Sequence, residues 1–483
     1  MNMGSILHTV EITGYASGGQ GVARLADGRA AFVGGAARGD VCRVALTKDR
    51  RRYCEAAIKS ILEPSARRVA PDCPAYGRCG GCVWRHVNYG EELYAKRERV
   101  KDALKRIGGF DVEPELIAAS AGRALRYRNR AQFGVALRGG RAVSGFYSPG
   151  SREVAAVGDC LLCGADANAA ARCVCGWIDA RGISVYDQST GAGLVRRVHT
   201  RSGRGGLTVC VSINGADMPY AGDLVERLKA ACGNLSGVLL RAVKNAGAGA
   251  GANAGANAAG ACSNQNYKND APPDDGCEPD ADAGAAGEDG EYVTLWGSGE
   301  VCETIGDLAL RMSPASFSQV NADGVRLLYD KAREYAALTR EDFLLDLYCG
   351  AGATTLYLGR GAKAALGVEC SGAAVADARG NALRNGVGNA SFVCADASRF
   401  DARGLRPDCV SVDPPRRGLA RGVIANIIEM APARVVYISC EPSTMARDIK
   451  LLEGYAPQKA CAVDMFPGTG GVECAALLIK NEN

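Results

Sequence analysis

Cys440 closes the run Val435-Val436-Tyr437-Ile438-Ser439 and is followed by Glu441-Pro442. A short apolar run rich in β-branched and aromatic residues reads as a buried strand, which puts the thiol at the strand's carboxyl end. Asp413-Pro414-Pro415-Arg416 follows a second such run, Cys409-Val410-Ser411-Val412. Two consecutive prolines fix the backbone beyond the acid and hold it rigidly at the strand end. Glu473 ends the glycine-rich stretch Phe466-Pro467-Gly468-Thr469-Gly470-Gly471-Val472.

A thiolate adds well to an electron-poor ring and leaves again. Exocyclic amines need no such help, because the nitrogen is itself nucleophilic. Carbon 5 of uracil does need it: attack at carbon 6 turns carbon 5 into an enolate-like nucleophile. Once carbon 5 carries a new substituent, its proton must pass to a base before the thiol is eliminated. Glu473 is the candidate base and Cys440 the candidate nucleophile. Taken alone, a strand-end cysteine is ordinarily a small core residue. Asp-Pro-Pro-Arg alone serves amine-directed methyl transfer equally well. The order turn, acid, DPPR, strand, Cys, Glu is what favours the uridine chemistry.

The turn is Asp346-Leu347-Tyr348-Cys349-Gly350-Ala351-Gly352, at the end of an apolar strand run. Glycines there let the backbone pass close to a ligand. Glu369 ends the next strand run, where an acid accepts hydrogen bonds from ribose hydroxyls, and Asp396 ends a third, suited to an adenine edge. The turn is not G-x-G-x-x-G and no basic residue stands ready for phosphates. The set therefore favours S-adenosylmethionine over a dinucleotide, although each acid alone reads more simply as a helix cap.

These residues need a scaffold. The chain has 483 residues, too many for one core. From about 339 to 483, apolar strand runs alternate with helix-compatible segments, the pattern of a parallel doubly wound sheet. Residues 1–65 alternate short β-rich runs with glycine turns, predicting a small antiparallel barrel. Its basic run Lys48, Arg50, Arg51, Arg52 beside Tyr53 is suited to a nucleic-acid backbone. Residues 66–338 read as an α+β unit, with a helix over 91–107 whose apolar positions are Leu93, Val100, Leu104 and Ile107. Residues 246–291 contain almost no large apolar side chain and read as a disordered insertion. They hold nine acidic residues and one lysine, so the rest of the chain carries 56 basic against 44 acidic residues. That excess favours a polyanionic partner. No long apolar run and no signal-like start is present, so a cytoplasmic monomer without a membrane partner is expected.

Cys73, Cys79 and Cys82 fall within ten residues, an arrangement suited to an iron–sulfur cluster or to zinc. The spacer of five between the first two differs from the C-x3-C-x2-C of radical S-adenosylmethionine enzymes.

The segments SFSQVN (316–321), DLYCGAG (346–352), DPPRRG (413–418), YISCEPSTMARD (437–448) and DMFPGTGGVE (464–473) closely resemble the 5-methyluridine RNA methyltransferase family. Residues 1–62 resemble a TRAM domain, and YRNRAQFGV (127–135) and GFYSPGSREV (145–154) resemble the family's central domain. The resemblance implies Cys440 as nucleophile, Glu473 as base, and Gln319, Tyr348, Glu369, Asp396 and Asp413 around S-adenosylmethionine. It implies a target uridine flipped out of its RNA structure. It also implies a [4Fe–4S] cluster on Cys73, Cys79, Cys82 and Cys160, with Cys163 a substitute for the last and zinc the alternative metal. Members with the barrel and the cluster point to 23S ribosomal RNA, transfer RNA being the runner-up. One departure stands out: Gly468 and Gly471 occupy positions where family members commonly carry histidines. Two rival readings are an amine-directed nucleic-acid methyltransferase and a non-catalytic RNA-binding factor on a relict fold.

Overall fold

The computed structural model describes residues 7–119, 125–243, 290–314 and 316–481. The barrel strands are β1 (Leu7–Glu11), β2 (Gly14–Tyr15), β3 (Gly21–Arg24), β4 (Ala30–Gly34), β5 (Val41–Asp49) and β6 (Tyr53–Glu63). They form one sheet in the order β1-β5-β6-β4-β3-β2. Alternate residues such as Val10, Ala23, Ala31, Val33 and Val44 point into a small core. The pairing is antiparallel, as expected, except between β4 and β6, which run parallel. Arg50, Arg51 and Arg52 are exposed at the β5–β6 turn.

Helix α1 (Tyr89–Ala103) follows, capped by Asn88, whose Oδ1 accepts from Glu91 N at 2.9 Å. One wider turn, Leu104–Gly108, continues it until Gly109 takes up φ 84° and stops it. Of the expected apolar stripe, Val100 and Leu104 are buried, but Ile107 is 41% exposed. The face packed against the protein also holds Glu91, Glu92 and Lys96. A helix that buries charges is held by specific partners rather than by an apolar stripe.

The central sheet comprises β8 (Arg130–Arg138), β9 (Arg141–Tyr147), β10 (Val154–Ala156), β11 (Val195–Gly203), β12 (Gly206–Asn214), β13 (Leu235–Val243) and β14 (Gly290–Gly297). Its order is β10-β9-β8-β11-β12-β13-β14 once the short strand β7 (Glu115–Ile117) is set aside. Helices α2 (Ala165–Arg181) and α3 (Ala221–Ala231) close one face over Phe133, Trp177, Val209 and Leu228. Of the acidic insertion expected at 246–291, residues 246–289 lie outside the described residues. Its last two, Gly290 and Glu291, already belong to β14.

The C-terminal unit begins with the hairpin β15 (Val301–Ile305) and β16 (Leu308–Met312), then α4 (Ala322–Ala336). Its sheet strands are β17 (Phe343–Leu347), β18 (Ala364–Glu369), β19 (Ala390–Cys394), β20 (Cys409–Val412), β21 (Arg434–Ser439), β22 (Tyr455–Val463) and β23 (Glu473–Lys480). Helices α5 (Ala353–Leu358), α6 (Gly372–Arg384), α7 (Arg421–Met430) and α8 (Pro442–Leu451) connect them. The order is β19-β18-β17-β20-β21-β23-β22-β7, so β7, from far upstream, supplies the last edge strand. Apolar layers lie on both sides: α1, α7 and α8 pack on one face and α4, α5 and α6 on the other. The expected doubly wound sheet is present with one exception. Strand β23 runs antiparallel to both neighbours, β21 and β22.

Candidate active site

The antiparallel strand creates the site. Ser439 of β21 pairs with Cys474 of β23 as the last rung of that ladder, so Cys440 and Glu473 are the next residues beyond it, at the carboxyl edge of the sheet. Cys474 Sγ reaches Ser439 O at 3.1 Å and closes that rung. Glu473 is 3% exposed, and Cys440 is half-buried. Burial pushes the Cys440 thiol up to about 12, the Glu473 charge adds to the rise, and Arg416 opposes it. Burial, then Asp413, raises Glu473 well above the ordinary carboxyl range, again opposed by Arg416. Asp413, just past β20, is raised to about 7 by burial and by Asp346. Asp346 is fully buried and raised to about 7 by burial, although Thr355 Oγ1 donates to its Oδ2 at 2.6 Å. Three carboxyls therefore crowd one edge of the sheet, and a cationic ligand suits such a place.

The turn after β17 bends sharply. Tyr348 has φ 66° and Gly350 φ 53°, both left-handed. Gly352, at φ 84°, is further confined: a Cβ there would stand 2.9 Å from the Ala378 methyl. Glu369 braces the turn, its Oε2 accepting from Gly350 N at 3.2 Å and its Oε1 from Ser371 N at 2.8 Å. Asp396 lies one strand further along the same edge, where its Oδ1 accepts from Ser398 N at 2.8 Å and Ser398 Oγ at 2.7 Å. These bonds hold its carboxyl below the usual range. Burial and the Asp396 charge raise Tyr348 to about 12, which puts the phenol near that acid. Gln319 lies half-buried just before α4. Its segment is tied down by Asp377 of α6, which accepts from Ser313 Oγ at 2.9 Å and Ser316 Oγ at 2.5 Å. Arg201 of β11 donates to Ser318 Oγ at 2.8 Å from the other side. Tyr348, Glu369, Asp396 and Asp413 thus share one sheet edge with Cys440 and Glu473, while Gln319 lies outside that edge, on the segment before α4 that Asp377 and Arg201 brace.

The DPPRRG segment needs its glycine. Gly418 has φ 78°, and a Cβ there would collide with Asp448 Oδ2. That buried carboxylate accepts from Leu419 N at 2.6 Å and Tyr437 Oη at 2.7 Å, fixing the loop to β21 and α8.

The loop entering β23 is held from α1, which the sequence reading did not foresee. Lys96 Nζ lies 2.8 Å from Glu92 Oε1 and 2.6 Å from Asp464 Oδ1, and donates to Phe466 O at 3.0 Å. Tyr89 Oη donates to Asp464 Oδ2 at 2.7 Å, and Gly468 N donates to Glu92 Oε1 at 2.5 Å. Arg99 donates to Gly470 O at 3.0 Å and to Glu441 Oε2 at 2.8 Å. Asn321, the cap of α4, donates to Met465 O at 2.8 Å. The two glycines that depart from the family pattern have local reasons. Gly468 adopts φ 84°, and its carbonyl accepts from Val83 N at 3.0 Å and Trp84 N at 3.2 Å. At Gly471 a Cβ would meet the Phe466 ring at 2.8 Å. In this chain the Phe466 ring fills the space a larger residue would need.

Cys73, Cys79, Cys82 and Cys160 line a single cavity, walled also by Arg85 and Arg128; Cys163 is not part of its lining and is fully buried. Gly81 N points at Cys79 Sγ at 3.4 Å and Arg85 Nε at Cys82 Sγ at 3.4 Å. Among the described residues no group of three or more side chains is drawn together closely enough to hold a single metal ion. No helix among them is long and apolar enough to cross a membrane.

Residues 304–481 match the family described as tRNA (Uracil-5-)-methyltransferase, and residues 8–59 match the TRAM domain. The chain is 35% identical to an uncharacterized RNA methyltransferase of Caldanaerobacter subterraneus, over 98% of this chain and 97% of that one. It is 32% identical to another from Halalkalibacterium halodurans, over 96% and 95%. The fold is similar to the crystal structure of Pyrococcus abyssi tRNA (uracil-54, C5)-methyltransferase in complex with S-adenosyl-L-homocysteine. That likeness has a TM-score of 0.71 at 23% identity and covers 98% of this chain and 99% of that one.

Proposed function

The chain belongs to the RNA (uracil-5-)-methyltransferase family, and on that premise we propose that it methylates carbon 5 of a uridine in 23S ribosomal RNA through a covalent Cys440 adduct. The observation that carries the reading is the end of the β21–β23 ladder at Ser439 and Cys474, immediately beyond which Cys440 and Glu473 lie close enough for the Glu473 charge to act on the thiol. Cys440 loses its thiol proton to solvent, the thiolate adds to carbon 6 of the flipped uracil, and the ring electrons move to carbon 5. Carbon 5 takes the methyl group of S-adenosylmethionine, and S-adenosylhomocysteine leaves. Glu473 then accepts the carbon 5 proton, the double bond re-forms, and the thiolate is expelled.

The cofactor site of this proposal comprises Gln319, Tyr348, Glu369, Asp396 and Asp413. S-adenosylmethionine is cationic at its sulfonium, and the crowded carboxyls Asp346, Asp413 and Glu473 favour a positive ligand. Such a charge beside them lowers their proton affinity, so bound S-adenosylmethionine favours the ionised form of Glu473 before the methyl group is transferred. The exposed arginines of the barrel and the excess of basic residues outside 246–291 suit an RNA backbone.

The cysteine cavity is proposed to hold a [4Fe–4S] cluster on Cys73, Cys79, Cys82 and Cys160. Four thiols around one cavity match the four-cysteine ligation of such clusters; burial raises the Cys82 thiol, and Arg85, 3.4 Å from its sulfur, offsets part of that rise. A zinc ion would need the sulfurs within about 2.3 Å of one centre. Methyl transfer needs no electron, so the cluster's part is structural: its segment also grips the loop entering β23 through Val83 and Trp84. Ribosomal RNA is favoured by this pairing of barrel and cysteine cluster. Transfer RNA is the alternative, favoured by the full-length likeness to a tRNA enzyme.

Two measurements test the reading. RNA containing 5-fluorouridine should trap a protein–RNA adduct, because fluorine cannot leave as the proton does, and Cys440→Ala should trap none. Mapping 5-methyluridine in both RNA classes, from cells with and without the gene, identifies the substrate. Turnover without any trapped adduct would overturn the covalent route, and loss of the modification from transfer RNA alone would overturn the ribosomal assignment.

A further inference from the structure

Helix α1 lies outside the methyltransferase sheet, yet its residues 89, 92, 96 and 99 fall at i, i+3, i+7 and i+10, one face of the helix. All four bond to the loop that enters β23 or to the segment that leaves β21. Arg99 is distinctive among them because it holds both. Its Nη2 donates to Glu441 Oε2 at 2.8 Å, one residue after Cys440. Its Nη1 donates to Gly470 O at 3.0 Å, three residues before Glu473.

Beyond the last rung, Ser439 with Cys474, and past Cys440 and Glu473, the two chains part. One turns into α8, and the other runs back as the loop 464–472. The ladder ends on one side of the catalytic pair, and the Arg99 guanidinium bridges the gap on the other. We propose that Arg99 is a positioning residue that sets Glu473 against the carbon 5 proton of the Cys440 adduct. This inference rests on the covalent reading given above.

The two arms of the bridge are unequal. Glu441 has other supports: its Oε1 accepts from Ser443 Oγ at 2.7 Å, and its backbone N donates to Ser439 Oγ at 3.0 Å. The Cys440 side therefore stays in place without Arg99. Gly470 sits mid-loop in a glycine-rich stretch, and Arg99 is the side chain that fixes its carbonyl. Loss of Arg99 frees Gly470 and loosens the stretch between the Gly468 anchors and Glu473, whose backbone stays paired with Val463 of β22, so the carboxyl shifts without leaving the sheet. Addition of the thiolate and methyl transfer should then survive, while removal of the proton slows. The intermediate that accumulates is the carbon 5-methylated ring still bonded to Cys440.

The test compares wild type, Arg99→Ala and Arg99→Lys on two RNAs. With ordinary uridine RNA, turnover of Arg99→Ala should fall about 10²-fold, the scale of a misplacement of about 1 Å, with KM for RNA and for S-adenosylmethionine little changed. A methylated protein–RNA adduct, absent in wild type at steady state, should appear on denaturing gels and by mass spectrometry. With 5-fluorouridine RNA the trapping rate should stay close to wild type, because that step does not use the base. Arg99→Lys keeps the charge but not the two-pronged reach, and should fall between the two. A parallel fall in trapping and turnover, as from general damage, overturns the proposal, and so does unchanged turnover. If wild type itself traps nothing, the covalent reading fails first and this inference falls with it.

Discussion

Replacing Lys96 by Met removes a buried cation and leaves the carboxylates it holds. Lys96 is 2% exposed, and the side chains of Glu92 and Asp464 are fully buried. Both carboxylates lie within 2.8 Å of the ammonium. Removing one member of a buried charged group costs about 3–5 kcal/mol, because the remaining charges lose their compensation in a medium that solvates them poorly. Against a total stability of about 5–15 kcal/mol, the variant should still fold but melt about 3–5 °C lower, because a chain of this length unfolds with an entropy of about 1 kcal/mol/K. Calorimetry of the full-length protein measures this directly. Lys48→Met is the control. Lys48 pairs with Glu55, but the two side chains are 58% and 40% exposed, so its loss should cost about 0–1 kcal/mol. Adding Glu92→Gln and Asp464→Asn to Lys96→Met removes the stranded charges and should recover more than half of the loss. If Lys96→Met costs no more than Lys48→Met, the triad is not what ties α1 to the loop entering β23.

Two further outcomes follow from the geometry. With the Cys440 thiol near 12 in the ligand-free protein, its thiolate fraction should grow about tenfold per pH unit. Alkylation of the Cys440 peptide by iodoacetamide should therefore rise without a plateau from pH 7 to 9, and a plateau near pH 7 would contradict the environment described. Anaerobically purified protein should contain four irons and four inorganic sulfides per chain, and Cys82→Ser should lose them; zinc in their place, or iron retained after that substitution, would count against the cluster.

Elements with an apolar period were legible in the sequence. The strand runs ending at Leu347, Glu369, Val412 and Ser439 stand where their β-branched and aliphatic residues place them, and so their terminal residues share one edge. The antiparallel run of β23 was not legible. A strand that is apolar on both faces reads the same in either direction, and only the short path from Val463 to Glu473 favours reversal. Helix α1 was recognised from its spacing, but its role was hidden: Glu92, Lys96 and Arg99 look like an exposed charged face, because sequence does not show that Asp464 and Gly470 lie opposite. The same holds for the glycines at 468 and 471. Their departure from the family is plain in the sequence, while its reasons, a left-handed backbone and the Phe466 ring, are matters of three-dimensional placement.

The direction of β23 has a consequence for how the protein can be divided. In a sheet of parallel strands, residues at strand starts lie at the edge away from the ligand, so a base at the start of a strand would be out of reach of a nucleophile at the end of its neighbour. Reversing one strand solves this, but the chain must then enter the sheet at the ligand edge through a loop, and loop 464–472 is rich in glycine. Ordering such a loop costs more backbone entropy than ordering most others. Its side-chain and backbone anchors from Tyr89, Glu92, Lys96, Arg99, Val83 and Trp84 all come from residues 83–99, between the barrel and the central sheet. The same helix is tied to the barrel, where Arg38 pairs with Glu91 at 2.8 Å and Tyr15 Oη donates to Glu91 at 3.0 Å. Glu473 is thus held in place by the segment that links the N-terminal barrel to the cysteine cavity. A C-terminal fragment cut at residue 300 would keep strands β17–β23, the turn after β17 and Cys440, yet lack the edge strand β7 and these anchors of the loop that leads into Glu473.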